Sequence, residues 1–292
     1  DDTTINEVRK RLAAGSTEGV EALLQDGSWY SDALASSVAT AVQMPDSAWP
    51  TGFRGVLSEL TKADVAILTL EAQARDEDVD DRSLRRIRAL NDARDLAAEG
   101  IVEWMSRQDA GKLSAEIDTV VEAALLAHKS QDPATRAHVA KIVESLGTNA
   151  YDALVAALDH DGPAIRAAAV RHLGLIGDDR ALDPLRARIG VEQSFNALYE
   201  LPLAIANLSR PETVDALMSM LALRDDGSYV AGSGQARAEA IDQLAYKLSS
   251  QPDRVGDAIP VLLERLGDDN GYVVVRAQAA LVSLGSAVVP RA

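Results

Sequence analysis

The sequence has 292 residues, of which 47% are hydrophobic but only 4% aromatic, and its formal net charge is −16. The absence of cysteine excludes disulfides, thiolate catalysis and cysteine-based zinc sites. Because an acidic surface repels phosphate and no run of about 18 apolar residues occurs, we predict no general binding of nucleic acid and no membrane span.

The kind of charge is also informative. Of the 29 basic residues, 23 are arginine and 6 are lysine. An excess of carboxylates with few lysines is typical of proteins from salt-adapted archaea, in which ions screen the repulsion between acidic groups. A GC-rich genome, whose codons favour alanine, arginine and aspartate, is the alternative explanation. No basic and then apolar leader opens the chain, so we expect a cytoplasmic protein.

Residues 1–130 are predicted to form an irregular helical region. Apolar residues at helical spacing, for example Ile5, Val8 and Leu12, predict short helices that end near glycines. Residues 76–81 hold five carboxylates but lack the glycine and the terminal glutamate of an EF-hand loop. A solvated linker is therefore favoured over a calcium site there.

After residue 130 the helical pattern becomes regular. One segment carries a helix-capping acid and a proline, then an apolar stripe at helical spacing, then glycines and a further acid. The pattern predicts two capped helices joined by a tight turn. A single hairpin of this kind cannot bury its apolar face alone, so such units have to stack. The residues are Asp161 and Pro163 at the first start, Gly174 and Gly177 at its end, and Asp178 or Asp179 at the second start.

Similar helix starts recur along residues 131–292. Each is followed by an arginine, and small or branched apolar residues come three and four positions after it. Partner helices lie between them, centred on pairs of large apolar residues. Residues 193–209 lack the arginine and place Pro202 inside the predicted helix, which indicates a degenerate or kinked unit. The partner helices are centred on Leu154 and Leu158, Leu185 and Ile189, Leu217 and Leu221, and Leu262 and Leu266.

The segment Asp-x-Pro-x-Ile-Arg-x-x-Ala-Val-x-x-Leu-Gly-x-x-Gly-Asp, from Asp161 to Asp178, resembles the HEAT-like repeat of the phycobilisome-lyase family. The resemblance covers residues 131–290 in four to five units. It implies an all-α fold, an α-α superhelix built as a HEAT-like solenoid of antiparallel helix pairs. It also implies Asp–Arg ties between repeats, at Asp132, Arg136, Asp161, Arg166, Arg237, Asp269 and Arg276.

No set of catalytic or metal-binding residues is evident in the sequence. The four histidines form no His-x-x-x-His or His-Glu pair, so packing or surface roles are favoured and no metal or cofactor is expected. The glycine-rich segment 227–234 lacks the lysine of a phosphate-binding loop and is predicted to be a mobile loop with Tyr229 at its crest.

We therefore expect a non-enzymatic scaffold or adaptor that binds a protein partner through its concave side, with the arginine-bearing helices lining that side. Residues five positions after the repeat arginine would form a row on it. The alternative is a lyase-like enzyme, or an enzyme accessory, that acts on a chromophore or a modified protein. The candidate protein-binding residues are Lys141, Arg171 and Asp242 of the row, together with Tyr229.

Overall fold

A computed structural model describes residues 108–129, 133–223 and 233–288, together with isolated positions between 88 and 106. The chain divides into two compact units, Asp1–Ala150 and Tyr151–Ala292. All regular structure in the described ranges is helical, and none of those helices is long and apolar enough to cross a membrane. The irregular helices and the acidic run predicted before residue 88 lie outside these ranges, so the boundary near residue 130 stays a prediction.

The described part of the first unit ends in three helices. Asp109 caps the first of them, because its carboxylate accepts a hydrogen bond from the backbone N–H of Lys112 at 3.0 Å. The second helix packs against the third, which begins at the proline that marks a helix start in the sequence. The helices are α1 (Ala110–Ala115), α2 (Ile117–Ala127) and α3 (Pro133–Leu146), followed by a 3₁₀ turn at Gly147–Ala150.

The described residues of the second unit form four helix pairs. In each pair a shorter helix precedes a longer one, and 3₁₀ turns lead into three of the shorter helices. The shorter helices are α4 (Tyr151–Ala157), α6 (Leu182–Ile189), α8 (Thr213–Met220) and α10 (Val255–Glu264). The longer helices are α5 (Pro163–Ile176), α7 (Phe195–Ala206), α9 (Ser233–Ser250) and α11 (Gly271–Val288).

These helices form two layers. The long-helix layer is α5, α7, α9 and α11, in which each helix packs against the next. The short-helix layer is α4, α6, α8 and α10, and each short helix packs against the long helix that follows it in the chain. The core lies between the layers. Five of the predicted partner-helix leucines are completely buried, whereas Leu266 is exposed. The buried ones are Leu154, Leu185, Leu217, Leu221 and Leu262.

The start of α5 differs in detail from the prediction. Gly162, not Asp161, is the N-cap residue, and no side chain caps the helix. The Nδ1 atom of His160 accepts a hydrogen bond from the backbone N–H of Gly162 at 2.8 Å instead. Pro163 occupies the first turn as predicted, where a missing N–H costs nothing. At the other end Asp178 caps the turn before α6 by accepting from the backbone N–H of Arg180.

The two glycines near the end of α5 have different roles. Gly177 ends the helix in the left-handed conformation, with φ at 67°, which glycine adopts without a steric penalty. Gly174 does not end the helix and lies inside it. An ideal Cβ at position 174 would be 2.4 Å from the Cα of Ala204 in α7, so a side chain has no room there. The absence of a side chain therefore lets α5 and α7 approach closely.

Helix α7, which lacks the repeat arginine, packs in the long-helix layer like the other long helices. Helix α7 continues through Pro202, whose ring is buried, and packs between α5 and α9. Proline removes one backbone hydrogen bond from a helix interior, so burial of the surrounding apolar side chains has to offset that loss. Leu201 and Ile205, one on each side of the proline, are both completely buried.

Candidate protein-binding face

The exposed side of the long-helix layer carries a continuous set of polar contacts between neighbouring helices. We call this surface the ladder face and define it by Arg171 of α5, Tyr199 and Glu200 of α7, Glu239 and Asp242 of α9, and Arg276 of α11. Exposed aromatic rings, those of Phe195, Tyr199, Tyr246 and Tyr272, lie on the same helices.

The contact between α5 and α7 is a two-pronged ion pair. The Nε and Nη2 atoms of Arg171 donate to the two carboxylate oxygens of Glu200, at 3.2 and 2.5 Å. A guanidinium matches a carboxylate in this arrangement, which fixes the orientation of both side chains. Arg171 remains about half exposed, so the pair is accessible from solvent while it joins the two helices.

The contact between α7 and α9 is made by a tyrosine. The hydroxyl of Tyr199 donates to a carboxylate oxygen of Glu239 at 3.4 Å, and Gln243 donates to the other oxygen at 2.9 Å. The negative charge of Glu239 raises the pKa of Tyr199, and partial burial raises it further. The Phe195 ring lies one turn before Tyr199, with 6.1 Å between the two ring centroids.

The contact between α9 and α11 is a third polar pair. The Nε atom of Arg276 lies 3.3 Å from a carboxylate oxygen of Asp242. Partial burial raises the pKa of Asp242, and the arginine offsets only part of that rise. The three pairs therefore join α5, α7, α9 and α11, each helix to the next, by polar contacts.

The structure places the members of the predicted row on different surfaces, and their role in binding stays a prediction. Arg171 and Asp242 both lie on the ladder face, but α7 stands between their helices and contributes Tyr199 and Glu200 to it. Lys141 is an exposed residue of α3 in the first unit. Tyr229 lies outside the described residues. The sequence pattern did not single out Glu200, because α7 lacks the repeat arginine used to align the units, nor Glu239, because it is not five positions after Arg237.

Some of the arginines expected to tie the repeats together pair with acids that the sequence did not single out. Arg166 of α5 donates to the carboxylate of Glu192, which precedes α7. The prediction had named Asp161 as its partner. Its contact with Asp161 is made to the backbone instead: the Nη1 atom of Arg166 donates to the carbonyl oxygen of Asp161 at 2.9 Å. Arg276 lies on the ladder face and takes its carboxylate from Asp242. Arg136 is a half-buried residue of α3, and its predicted partner Asp132 lies outside the described residues.

Glu192 is the centre of a buried ionic cluster between α5, α6 and α7. Its carboxylate accepts hydrogen bonds from Arg166, from Arg188 at the end of α6 and from the backbone N–H groups of Gln193 and Ser194. The side chain is only 1% exposed. Burial would raise the pKa of Glu192, but these donors lower it to about 2. The Glu192 carboxylate is therefore fully ionised at neutral pH.

An equivalent cluster lies between α9, α10 and α11. Asp268, just before α11, accepts from the Nη2 atom of Arg237 at 2.8 Å, and Arg265 at the end of α10 lies 3.7 Å away. The backbone N–H of Asn270 donates to the same carboxylate. Burial would raise the pKa of Asp268, but these donors lower it. Asp269, another residue expected to take part in these ties, is largely exposed and lies 3.5 Å from Arg237.

The two clusters are built in the same way. Each has an arginine of a long helix, an acid in the loop before the next long helix, and a second arginine three or four residues before that acid. The long-helix arginine also donates to backbone carbonyls, those of His160 and Asp161 in one case and Leu223 in the other. These clusters join successive repeats, and their buried acids are paired with arginines.

Nothing in the described residues resembles a catalytic or metal centre. No group of three or more His, Asp or Glu side chains there could hold a metal ion. His172 is completely buried in α5, as expected for a packing residue, and His138 contacts the backbone carbonyl of Ala134 one turn earlier in α3. The feature of these residues that a partner could contact is the ladder face, with its charged pairs and exposed aromatic rings.

Comparison with known proteins agrees with the helical repeat architecture. Residues 121–197 match the family model of HEAT repeats. The match covers about a quarter of the chain and spans both units. Together with the two helix layers, it confirms the predicted fold class, an all-α HEAT-like solenoid, for the described residues. No curated protein matches the sequence significantly.

Two solved structures, both of engineered proteins from a structural genomics consortium, also align with the chain. Each is 17% identical in sequence. The alignments cover 97% and 96% of this chain and 95% and 97% of the others, with TM-scores of 0.35 and 0.27. At these scores the fold assignment rests on the helix contacts and the repeat match rather than on the two engineered proteins.

Proposed function

We propose that this chain is a non-enzymatic scaffold for protein–protein interaction and that the ladder face binds the partner. The observation that carries the proposal is the extent of the face, on which three polar pairs join four successive helices. The pairs are Arg171–Glu200, Tyr199–Glu239 and Asp242–Arg276. Repeat proteins commonly use such extended surfaces for binding.

The chemistry of the face suits a protein partner. Tyr246 and Tyr272 are each 70% exposed, and tyrosine is enriched among the residues that dominate binding energies at interfaces. The charges between the rings are already held by intramolecular ion pairs, so little side-chain entropy is lost when a partner binds. Exposed tyrosine rings between oriented charges favour a protein partner over a small molecule as the ligand of this face.

The finer assignments belong to the same proposal. The Asp161–Asp178 segment supports a phycobilisome-lyase type of repeat, although a role as a lyase-like enzyme has no supporting residue in the described part of the chain. The acidic, lysine-poor composition supports a cytoplasmic protein of a salt-adapted archaeon that binds no nucleic acid. The solenoid repeats are proposed to occupy residues 131–292, after the irregular helical region.

A charge swap separates recognition from stability. Arg171→Glu alone places two glutamates together, whereas Arg171→Glu with Glu200→Arg restores the ion pair in the opposite direction. The swapped protein should keep its melting temperature but lose partners that immobilised wild-type protein captures from an extract of its own cells. The matched control reverses Asp215 and Arg254, an ion pair of the same 2.5 Å length between α8 and the start of α10. If both swaps capture the same proteins as wild type, the ladder face is not the binding surface.

A further inference from the structure

One carboxylate of the ladder face, that of Glu239, is paired with no basic side chain of the described residues. Its two oxygens accept hydrogen bonds from neutral groups, the hydroxyl of Tyr199 at 3.4 Å and the amide of Gln243 at 2.9 Å. The other two carboxylates that define the face each have an arginine partner. The ladder face therefore carries an excess negative charge, and that charge is located at Glu239.

The neighbouring acidic groups respond to this charge. The charge of Glu239 is the largest cause that raises the pKa of Tyr199. Asp242 lies one turn further along α9, where burial raises its pKa, Arg276 offsets part of the rise and Glu239 adds to it. A positive group beside Glu239 would oppose both effects of its charge. The centre of the ladder face is thus complementary to a cation.

The Glu239 carboxylate can accept a guanidinium in addition to its present donors. An ionised carboxylate has about four acceptor positions, and Glu239 uses one on each oxygen for Tyr199 and Gln243. One position on each oxygen is left. A guanidinium presents two parallel N–H groups that match the two oxygens of one carboxylate, whereas an ammonium acts as a point charge. The carboxylate therefore suits an arginine better than a lysine.

Two exposed tyrosine rings lie on the same surface as this carboxylate. The hydroxyl of Tyr199 is bonded to Glu239, so a cation held by Glu239 lies beside that ring, which is 37% exposed. Tyr246 follows Glu239 by seven residues, or two helical turns, and therefore lies on the same side of α9. It is 70% exposed. Because aromatic rings attract guanidinium groups, a basic segment that lies along α9 contacts the carboxylate and both rings.

We propose that the ladder face recognises a basic segment of a partner protein, in which one arginine binds Glu239 beside the rings of Tyr199 and Tyr246. This inference rests on the proposed function, because it names the chemistry of the partner that binds the same face. The net charge of −16 attracts a basic segment and repels both nucleic acid and a second copy of the chain. A metal ion is a poorer occupant, because the described residues hold no group of three or more side chains that could bind one.

Fluorescence anisotropy with labelled peptides tests the preference for arginine. Three short peptides alternate glycine with arginine, with lysine or with citrulline, which has the shape of arginine but no charge. The salt concentration is about 0.15 M, so that general attraction between charges is screened. The arginine peptide should bind most tightly, and the citrulline peptide about tenfold more weakly or less. Equal binding of the arginine and lysine peptides, or no binding of the arginine peptide at about 1 mM protein, overturns the proposal.

A matched pair of variants tests the role of Glu239. Glu239→Gln removes the charge but keeps an oxygen that accepts from Tyr199, and it should weaken binding of the arginine peptide about tenfold. Glu264→Gln makes the same change in α10, at a side chain that is 70% exposed, and should leave binding unchanged. If the two variants weaken binding equally, or neither does, the total charge of the chain attracts the peptide and the proposal is wrong.

A second pair tests the aromatic contact without altering any charge. Tyr246→Phe keeps the ring and should bind the arginine peptide as wild type does, whereas Tyr246→Ala should bind it several-fold more weakly. Because this side chain is 70% exposed, neither change should lower the melting temperature. Equal binding by the two variants would remove Tyr246 from the recognised surface and contradict the proposal.

Capture from a cell extract separates this inference from the proposed function. Glu239→Gln and the swapped Arg171 and Glu200 variant should both lose the partners of wild-type protein, and the arginine peptide, but not the citrulline peptide, should displace those partners from wild type. If the swap loses partners while Glu239→Gln keeps them, the ladder face binds by other chemistry, so this inference fails and the proposed function stands. If both variants keep every partner, both proposals fail.

Discussion

Arg237 and Asp268 form a buried ion pair, 2.8 Å long, in which the side chains are 2% and 4% exposed. The guanidinium also donates to the backbone carbonyl of Leu223 and to the hydroxyl of Ser233. One arginine thus joins α9 to the loop before it and to the loop that starts α11. These contacts place a charged group among buried polar atoms that it can pair with.

Replacing Arg237 by leucine should destabilise the second unit strongly. The change leaves the Asp268 carboxylate buried beside a single arginine, and breaking a buried pair by removing one partner costs about 3–5 kcal/mol. Chemical denaturation followed by circular dichroism measures the loss. The matched control is Arg276→Leu, whose arginine is about half exposed and pairs with a half-exposed aspartate. An exposed pair of this kind contributes about 0–1 kcal/mol. Equal losses for the two variants would show that the buried cluster adds nothing to stability.

The carboxylate of Glu192 should make folding sensitive to acid. Its pKa is 4.5 in an unfolded chain and about 2 in the folded protein, so the folded state favours the charged form. The resulting stabilisation is fully present above about pH 4.5 and is lost as the pH falls toward 2. After allowance for solvent screening it amounts to about 1–3 kcal/mol.

Denaturant titrations of wild type and Glu192→Gln from pH 7 down to pH 2 check this expectation. The difference in unfolding free energy should be largest at neutral pH and should shrink below pH 4.5. Glu264→Gln is the control, because that side chain is 70% exposed and contacts only its neighbour Arg265. A difference between wild type and Glu192→Gln that does not vary with pH would contradict the lowered pKa.

The helix pairs could be predicted from the sequence because their signals are local. Pro163 at a helix start, Gly177 at a helix end and Asp178 before the next helix act within one or two turns, and all three have the predicted roles. The core leucines of the short helices follow equally from helical spacing. Local propensity and apolar periodicity were therefore sufficient for the fold class.

The partners of the arginines could not be predicted in the same way. Glu192 lies 26 residues after Arg166, and Asp268 lies 31 residues after Arg237, so the pairs exist only once successive repeats have stacked. Alignment on the arginines also placed Arg276 with Arg166 and Arg237. In the register set by the buried apolar residues, Val274 occupies the position of Arg166 and Arg237, and Arg276 pairs with Asp242. Packing of the apolar face, which contributes more energy, decides the register of the charges.

Helix contact at Gly174 leads to a prediction of opposite effects for two glycines. Gly174→Ala should destabilise the second unit by about 1–3 kcal/mol, because the new methyl group would lie 2.4 Å from the Cα of Ala204 and force α5 and α7 apart. Gly256 is the matched control. It lies in the first turn of α10 with nothing within 4 Å of an added Cβ, so Gly256→Ala should stabilise by about 0.5–1 kcal/mol through helix propensity and the lower entropy of the unfolded chain. Thermal unfolding of both variants measures the two shifts, which should have opposite signs. Stabilisation by Gly174→Ala would show that the close approach of α5 and α7 is not required for the stack.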